Sequence, residues 1–199
     1  MKRLKRILAI IAHPHELRLA LSGLGIRLGG DGNLGSLTKE ETEAVVRWAA
    51  GADKLIEIGT LFGFTAKAVA LRTKAKVTAV DNFSWNPFGL TSSEHRRFTE
   101  KVLEGSGVEL VEADSAEYLS ALDCEGALVF LDGDHSYDGV RRELEILNGK
   151  RCIAVAGHDF GNPNFGVTKA VGEVLGKPDE VVGRCWVKWS KEGRARREE

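Results

Sequence analysis

The sequence predicts one α/β domain, built on a doubly wound, mostly parallel sheet with helices on both faces and a C-terminal antiparallel strand pair. Five short apolar runs between residues 54 and 156 have the pattern of parallel strands buried on both faces. Helical patterns alternate with these runs, as is typical of a doubly wound sheet. The stretch 180–190 is rich in β-branched and aromatic residues around a glycine, which indicates the terminal pair.

The first clear element is a helix that begins after Thr38. Thr38 and Glu41 form the T-x-x-E pattern of a capping box, and Gly51 ends the helix. Its apolar face consists of Val45, Trp48 and Ala49.

The later elements follow in alternation. The predicted strands lie near 54–58, 76–80, 108–112, 127–131 and 152–156. The predicted helices lie at 65–73, 92–103, 116–122, 140–147 and 167–175. In the fourth of these helices, Val140, Leu144 and Leu147 repeat at helical spacing.

The chain divides into three parts around this core. Its 199 residues, 43% of them hydrophobic, suit one domain with a well-buried interior, which we expect at 36–190. Residues 1–35 begin with a basic stretch, and their apolar run, 7–12, is too short for an export signal, so we interpret them as a helical arm or lid. The charged tail, 191–199, is expected to fray.

Composition narrows the function classes. A formal charge of −1 argues against nucleic acid as the main partner, although a small nucleic-acid substrate stays open, and no stretch is long enough to span a membrane. The three cysteines, Cys124, Cys152 and Cys185, include no C-x-x-C pair. Their odd number and spacing argue against a disulfide framework or structural zinc and favour a cytoplasmic location.

Each of the five predicted strands ends in an acidic residue. These residues are Glu57, Asp81, Asp114, Asp132 and Asp159. Because ligands of open α/β sheets bind outside the carboxyl ends of the strands, the five carboxylates should surround one crevice. Such a crevice suits a polyhydroxylated, partly cationic ligand, with or without a metal. Each acid could instead cap the helix that follows it, and this alternative is strongest for Asp114.

A glycine turn follows the first strand in EIGTLFGFT, residues 57–65. Gly59 and Gly63 allow the backbone to pass close to a ligand, while the helix start presents N–H groups to an anion. The turn is not G-x-G-x-x-G, so it suits a smaller anion such as an amino-acid carboxylate.

Asp81, at the end of the second strand, could accept hydrogen bonds from ribose hydroxyls or form a turn before Asn82. Asp114 or Ser115 could meet an adenine amino group.

The ordered set EIGTLFGFT, AVD, EADS, FLDGDHSYDGV and AGHDF resembles the class I S-adenosylmethionine-dependent methyltransferases. The similarity spans residues 36 to about 175. FLDGDHSYDGV, GHDF and GVTKAV are similar to a bacterial O-methyltransferase group related to macrocin and cephalosporin methyltransferase-like proteins. The resemblance implies a Rossmann-like fold and S-adenosylmethionine as cofactor.

The resemblance also implies cofactor-binding residues. It implies Gly59 for the methionine carboxylate, Glu57 near the amino group, Asp81 at the ribose, and Asp114 with Ser115 near adenine. The full predicted cofactor set is Glu57, Gly59, Thr60, Gly63, Thr65, Asp81, Asn82, Asp114, Ser115 and Asp132.

The fourth and fifth strands end in a group of acids and histidines. The group consists of Asp132, Asp134, His135, His158 and Asp159. Carboxylates favour magnesium or manganese, whereas imidazole would admit later transition metals. Similarity to catechol O-methyltransferase-like enzymes implies a metal at Asp132, His158 and Asp159. Those relatives have an Asp-Asn pair where this chain has His158 and Asp159, so the ion, magnesium or manganese, stays open.

His135 is the candidate general base. It stands three residues after Asp132, where those relatives place a lysine, and imidazole can accept a hydroxyl proton near neutral pH. Alternatively, His135 caps or packs against the following helix. Asp134 could orient His135 or be a metal ligand itself.

The function we predict is O-methylation of a small-molecule hydroxyl, with His135 as base and Asp132 in the catalytic group. One alternative is a non-catalytic module that binds the same cofactor. Another is a nicotinamide-dependent dehydrogenase, which the missing G-x-G-x-x-G disfavours. The 83–90 connection and residues 1–35 would shape the acceptor pocket, and a second copy of the chain could complete it.

Overall fold

The computed structural model describes residues 37–85 and 90–198, so the predicted arm at 1–35 and part of the 83–90 connection lie outside the described residues. The strands are β1 Lys54–Ile58, β2 Lys76–Asp81, β3 Glu109–Glu112, β4 Ala127–Leu131, β5 Ala154–Gly157, β6 Glu180–Val182 and β7 Cys185–Trp189. The helices are α1 Lys39–Ala49, α2 Phe64–Arg72, α3 Ser92–Leu103, α4 Ser115–Ala121, α5 Tyr137–Asn148, α6 Val167–Val174 and α7 Lys191–Glu198.

The seven strands form one sheet in the order β3-β2-β1-β4-β5-β7-β6. Strands β1 to β5 pair in parallel, and β7 pairs antiparallel with both β5 and β6. The predicted doubly wound sheet and its C-terminal antiparallel pair are therefore confirmed. The chain reverses its direction of travel across the sheet between β1 and β4, and open α/β sheets bind ligands at such a switch point.

Each face of the sheet carries an apolar core. On one face, Trp48 of α1 and Val69 of α2 pack among fully buried strand side chains. On the other, Leu119 of α4, Leu144 of α5 and Val171 of α6 do the same. Helices therefore cover both faces, which explains why the parallel strands consist of continuous apolar runs.

The predicted capping box at the start of α1 is present. The backbone N–H of Glu41 donates to Thr38 Oγ1 at 3.2 Å, and the backbone N–H of Thr38 donates to Glu41 Oε2 at 2.8 Å. Glu41 is only 5% exposed, because it also reaches the loop between β6 and β7, where its Oε1 accepts from the N–H of Arg184 at 2.8 Å. The capping box therefore ties α1 to the far end of the chain.

The charged tail is a helix in the structure, so the expectation that it frays was wrong. Arg196 pairs with Asp53 at 2.9 Å, Arg194 pairs with Asp179 at 3.0 Å, and the Arg197 guanidinium lies 4.5 Å from the centre of the Trp189 ring. Exposed ion pairs are worth only ~0.2–1 kcal/mol each, but several together hold this helix against the domain. Among the described residues, no helix has the length and apolar character needed to cross a membrane.

Candidate functional site

A cavity of about 780 Å³ opens at the carboxyl ends of the parallel strands. All five predicted strand-end acids line it: Glu57, Asp81, Asp114, Asp132 and Asp159. The structure therefore brings together the residues that the strand-end pattern predicted to share one crevice. Of the other predicted site residues, the cavity wall also includes Gly59, Thr60, Thr65, Asn82, Ser115, His135 and His158.

The glycine turn after β1 lies against the loop after β4. Gly59 has φ +80°, and a Cβ built on it would lie 2.3 Å from the Cα of Gly133. No other residue type fits there, because both the backbone conformation and the available space exclude a side chain. The two loops at the switch point therefore touch through backbone alone.

Gly63 differs from the other predicted cofactor residues, because it does not line the cavity. It has φ +79° at the start of α2, and an added Cβ would meet the side chain of Leu103 at 2.7 Å. Its requirement for glycine comes from helix packing, so the structure does not bring Gly63 into the cavity with the rest of the predicted set.

Left-handed backbone at residues other than glycine occurs just after three of the strands. Among the described residues other than glycine, positive φ occurs at Leu61 (50°), Phe83 (51°) and Asp159 (58°). These three residues follow β1, β2 and β5, and Leu61 and Asp159 line the cavity. Such conformations cost ~1–3 kcal/mol each and are common where a site needs a fixed geometry.

Asp81 holds the two loops that follow β1 and β2. Its Oδ2 accepts hydrogen bonds from the backbone N–H groups of Thr60 (3.0 Å) and Leu61 (3.2 Å), and its Oδ1 accepts from the N–H of Phe83 (2.7 Å). A carboxylate offers about four acceptor sites, so three are in use and space for one further donor remains. Asn82 beside it accepts from the N–H of Ser84 at 2.9 Å.

Glu57 is a buried acid beside the glycine turn. It is 2% exposed, and the Thr60 hydroxyl donates to its Oε2 at 2.5 Å. Burial, together with the nearby charges of Asp132 and Asp81, raises the pKa of Glu57 to about 8. A cationic group bound next to Glu57 would favour its ionised form.

The alternative predicted for Asp114 is present in the structure. Asp114 is the N-cap of α4, and its Oδ1 accepts from the backbone N–H groups of Ala116 and Glu117, both at 3.0 Å. These two bonds account for the position of the carboxylate, which is exposed and also lines the cavity.

Glu143 on α5 is a cavity residue that the sequence interpretation missed. It is 2% exposed, and its Oε2 makes no hydrogen bond to any described residue. Burial, with Asp134 and Asp114 nearby, raises the pKa of Glu143 to about 7. Its position could have been found in the sequence, because Val140, Glu143 and Leu144 share the i, i+3, i+4 spacing of the buried helix face.

His158 lies among three carboxylates. Its Nδ1 is 3.5 Å from Asp132 Oδ1 and 3.4 Å from Asp159 Oδ2, and its Nε2 is 3.4 Å from Glu41 Oε1. Burial alone would lower the pKa of His158, but these carboxylates outweigh burial and raise the pKa to about 9. Burial raises the pKa of Asp132, although His158 opposes that shift. Nothing in the sequence pattern places Glu41 here, because its spacing from Thr38 indicates a helix-capping residue.

His135 is held by Asp159 and an aromatic ring. Its Nδ1 lies 3.4 Å from Asp159 Oδ2, and its ring stacks on Phe165 with centroids 4.8 Å apart. Asp134 instead accepts from the backbone N–H of Ser136 at 2.7 Å. Ser136 is the N-cap of α5, so His135 does not cap this helix.

The donor atoms of Asp132, His158 and Asp159 fit a divalent cation. One atom from each residue lies within 4.8 Å of the others, and the closest carboxylate-to-imidazole separations are 3.4–3.5 Å. An ion bound at ~2.1–2.4 Å from oxygen and nitrogen needs neighbouring ligand atoms about 3 Å apart, so a small movement would close the site. Two carboxylates with one imidazole suit manganese and related ions as well as magnesium.

Comparison with known proteins matches the chain to one family model and to many solved structures that share its fold. Residues 56–152, about half of the chain, match the family model described as a methyltransferase domain. No curated protein matches the chain.

Solved structures with this fold include three methyltransferases. The SAH-bound methyltransferase from Podospora anserina is 14% identical over 96% of this chain and 97% of its own, with a TM-score of 0.59. The O-methyltransferase TomG from Streptomyces achromogenes, in complex with SAM, is 16% identical over 85% and 86%, with a TM-score of 0.57. The SAH-bound O-methyltransferase from Bacillus cereus is 13% identical over 93% and 95%, with a TM-score of 0.56. At these identities the likeness is one of fold. With its matched methyltransferase domain and this sheet order, the chain belongs to the class I methyltransferases that depend on S-adenosylmethionine.

Proposed function

We propose that the protein transfers the methyl group of S-adenosylmethionine to a hydroxyl of a small organic molecule. The observation that carries the proposal is the position of His135, which Asp159 orients on the wall of the same cavity as the glycine turn. A base and a cofactor turn on the wall of one cavity give the acceptor and the methyl donor one shared space.

The cofactor would lie along the ends of β1, β2 and β3. Backbone N–H groups of the glycine turn would bind its carboxylate, and Glu57 would bind its ammonium group, which favours the ionised acid. The remaining acceptor site of Asp81 would take a ribose hydroxyl, and Ser115 would lie near adenine.

Methyl transfer then needs one proton acceptor and correct alignment. The acceptor hydroxyl would give its proton to His135 while its oxygen attacked the methyl carbon that S-adenosylmethionine supplies; an O–C bond would form and the C–S bond would break, which would leave a neutral thioether in place of the sulfonium. Asp159 would stabilise the imidazolium that forms on His135. The protonated His135 returns the proton to solvent after product leaves.

A divalent cation, magnesium or manganese, is the second part of the proposal. Asp132, His158 and Asp159 would hold it, and such an ion would lower the pKa of an acceptor hydroxyl bound to it. Two exposed aromatic side chains on the cavity wall, Trp85 (68% exposed) and Phe165 (41% exposed), support a small organic acceptor. Aromatic side chains commonly form the apolar wall of small-molecule sites. The solved relatives titled O-methyltransferases, from Bacillus cereus and Streptomyces achromogenes, also support oxygen as the acceptor atom.

Two assays on the purified protein test this function. Calorimetry with S-adenosylhomocysteine should show binding, and a panel of hydroxylated metabolites should show turnover with labelled S-adenosylmethionine. Failure of S-adenosylhomocysteine to bind would contradict the proposal. Binding without turnover across the panel, with no effect of His135→Ala, would favour the non-catalytic module, and binding of a nicotinamide cofactor instead would favour a dehydrogenase.

We also propose a cytoplasmic location and a pocket completed by a second copy of the chain. All three cysteines are buried and free of disulfides, which supports a reducing compartment. Residues 1–35 are proposed as an arm or lid over the domain at 36–190. Size-exclusion chromatography at micromolar concentration tests the second copy, since elution as a monomer would contradict it.

A further inference from the structure

Glu143 carries a buried oxygen atom without a partner on the cavity wall. The residue is 2% exposed, and its Oε2 makes no hydrogen bond to any described residue. Oε2 itself is shielded from solvent, while the residue lines the cavity. An unsatisfied buried acceptor is costly, so a ligand group that donates to this carboxyl would remove that cost.

The position of Glu143 matches one part of the cofactor proposed above. Strands β1, β2 and β3 are consecutive neighbours, about 4.8 Å apart. A ligand whose amino-acid end lies at the glycine turn and whose ribose lies at Asp81 therefore has its base beyond β2, towards Ser115. Helix α5 packs against α4 there, and both Glu143 and Ser115 line the cavity.

We propose that Glu143 is the residue that recognises the adenine base, by accepting a hydrogen bond from its 6-amino group through its carboxyl group. This inference rests on the proposed function, because it requires an adenosyl ligand in the cavity. In its protonated form the same carboxyl group also donates to the neighbouring ring nitrogen, N1, since a carboxylic acid offers one donor and one acceptor side by side.

The charged surroundings of Glu143 are consistent with a neutral or shared proton. Asp114 at the start of α4 and Asp134 in the loop before α5 both disfavour its ionised form, while Arg142 on α5 favours it. Burial adds to the effect of the two acids and raises the pKa of Glu143 to about 7. An amino group that donates to the carboxyl group would replace the water that burial excludes.

The test measures the value of one ligand group with and without Glu143. The two probes are S-adenosylhomocysteine and its 6-deamino analogue, in which hydrogen replaces the amino group. Wild type should bind the amino form about tenfold more tightly, the usual effect of one hydrogen bond to a polar buried group. Glu143→Leu should bind both probes with equal affinity, and Glu143→Gln, which keeps an acceptor oxygen, should retain the preference.

Glu145→Leu is the matched control. Glu145 lies on the same helix, is exposed, and pairs with Arg141 at 2.8 Å, so its variant should keep the wild-type preference. Thermal melts of each variant separate folding from binding; a purely structural Glu143 would affect stability and leave the ratio of the two affinities unchanged.

The outcomes distinguish this inference from the function on which it rests. If S-adenosylhomocysteine does not bind wild type, the proposed function fails. If it binds, but wild type has equal affinity for both probes, or Glu143→Leu keeps the preference, the assignment of Glu143 is overturned. If Glu143→Leu does not fold, the wild-type ratio and Glu143→Gln still decide the question.

Discussion

Asp159 orients His135: the Oδ2 atom of Asp159 lies 3.4 Å from His135 Nδ1, and its Oδ1 accepts from the side-chain amide of Asn162 at 2.8 Å. Asp159 has φ +58°, a conformation that the surrounding contacts must hold in place. Asn162 thus holds the carboxylate at Oδ1, while Oδ2 faces the Nδ1 atoms of both His135 and His158 at 3.4 Å.

The first prediction concerns this pair. His135→Ala should lower kcat about 100-fold, a common effect of losing a general base, while the affinity for S-adenosylhomocysteine stays close to wild type. The pH–rate profile should lose its acidic limb. Asp159→Asn should also lower kcat, because the orienting charge is gone, whereas Asp134→Asn should leave it near wild type, since Asp134 contacts Ser136 instead. An equal effect of both Asp variants would contradict the orienting role of Asp159.

Asp81→Ala should weaken S-adenosylhomocysteine binding at least about tenfold in calorimetry. The variant removes the acceptor of the N–H groups of Thr60, Leu61 and Phe83, each a contribution of ~0.5–1.5 kcal/mol, as well as the proposed ribose contact. Asp123→Ala is the control, because Asp123 is an exposed acid away from the cavity. Unchanged affinity in Asp81→Ala would remove Asp81 from the cofactor site.

Gly59→Ala should lower the melting temperature and abolish cofactor binding. The left-handed backbone alone costs a side chain ~1–2 kcal/mol, and a Cβ 2.3 Å from Gly133 Cα requires a backbone movement in addition. Gly172→Ala provides the opposite case. It lies in α6 with no atom within 4 Å of an added Cβ, so alanine should stabilise the helix by ~0.5–1 kcal/mol. Equal melting temperatures for the two variants would argue against the close contact at the switch point.

The stability of the ligand-free protein should fall as pH rises, in part because of Glu57. Its pKa is raised from 4.5 to about 8, so the folded state holds a proton that the unfolded chain releases. The folded state therefore loses this advantage between about pH 5 and pH 8, and Glu57→Gln should show a smaller decline in melting temperature over that range. Parallel curves for wild type and variant would show that Glu57 is already ionised in the folded protein.

Metal binding has its own test. Titration of the metal-free protein with manganese or magnesium should show one site that Asp132→Ala and His158→Ala both remove. Asp123→Ala should bind the ion like wild type. Chelation should lower turnover without changing the affinity for S-adenosylhomocysteine. A wild type that binds neither ion would end the metal proposal while leaving the role of His135 intact.

Much of the fold could be predicted because its signals are local. The capping box at Thr38 and Glu41 and the apolar strand runs depend on neighbours a few residues away, and α3 was predicted with its observed bounds. The alternation of strands and helices then restricted the topology, which brought the strand-end acids to one edge of the sheet.

The tasks of individual side chains could not be predicted in the same way, because their partners are distant in sequence. Glu41 looks like a helix cap, yet it also accepts from Arg184, 143 residues away, and contacts His158. Gly63 looks like a ligand-binding glycine, yet its space is taken by Leu103.

The sequence by itself determined the order of the elements, the edge of the sheet where the cavity opens, and the acids and histidines that line it. Those features follow from hydrophobic periodicity and strand direction, which neighbouring residues set. Only the tertiary structure decided that Asp159, and not Asp134, pairs with His135, and that Glu143 is buried in the cavity wall with one unpartnered carboxyl oxygen. These outcomes depend on how α5 and the loop after β5 pack against the strand ends, and packing is a property of the whole chain.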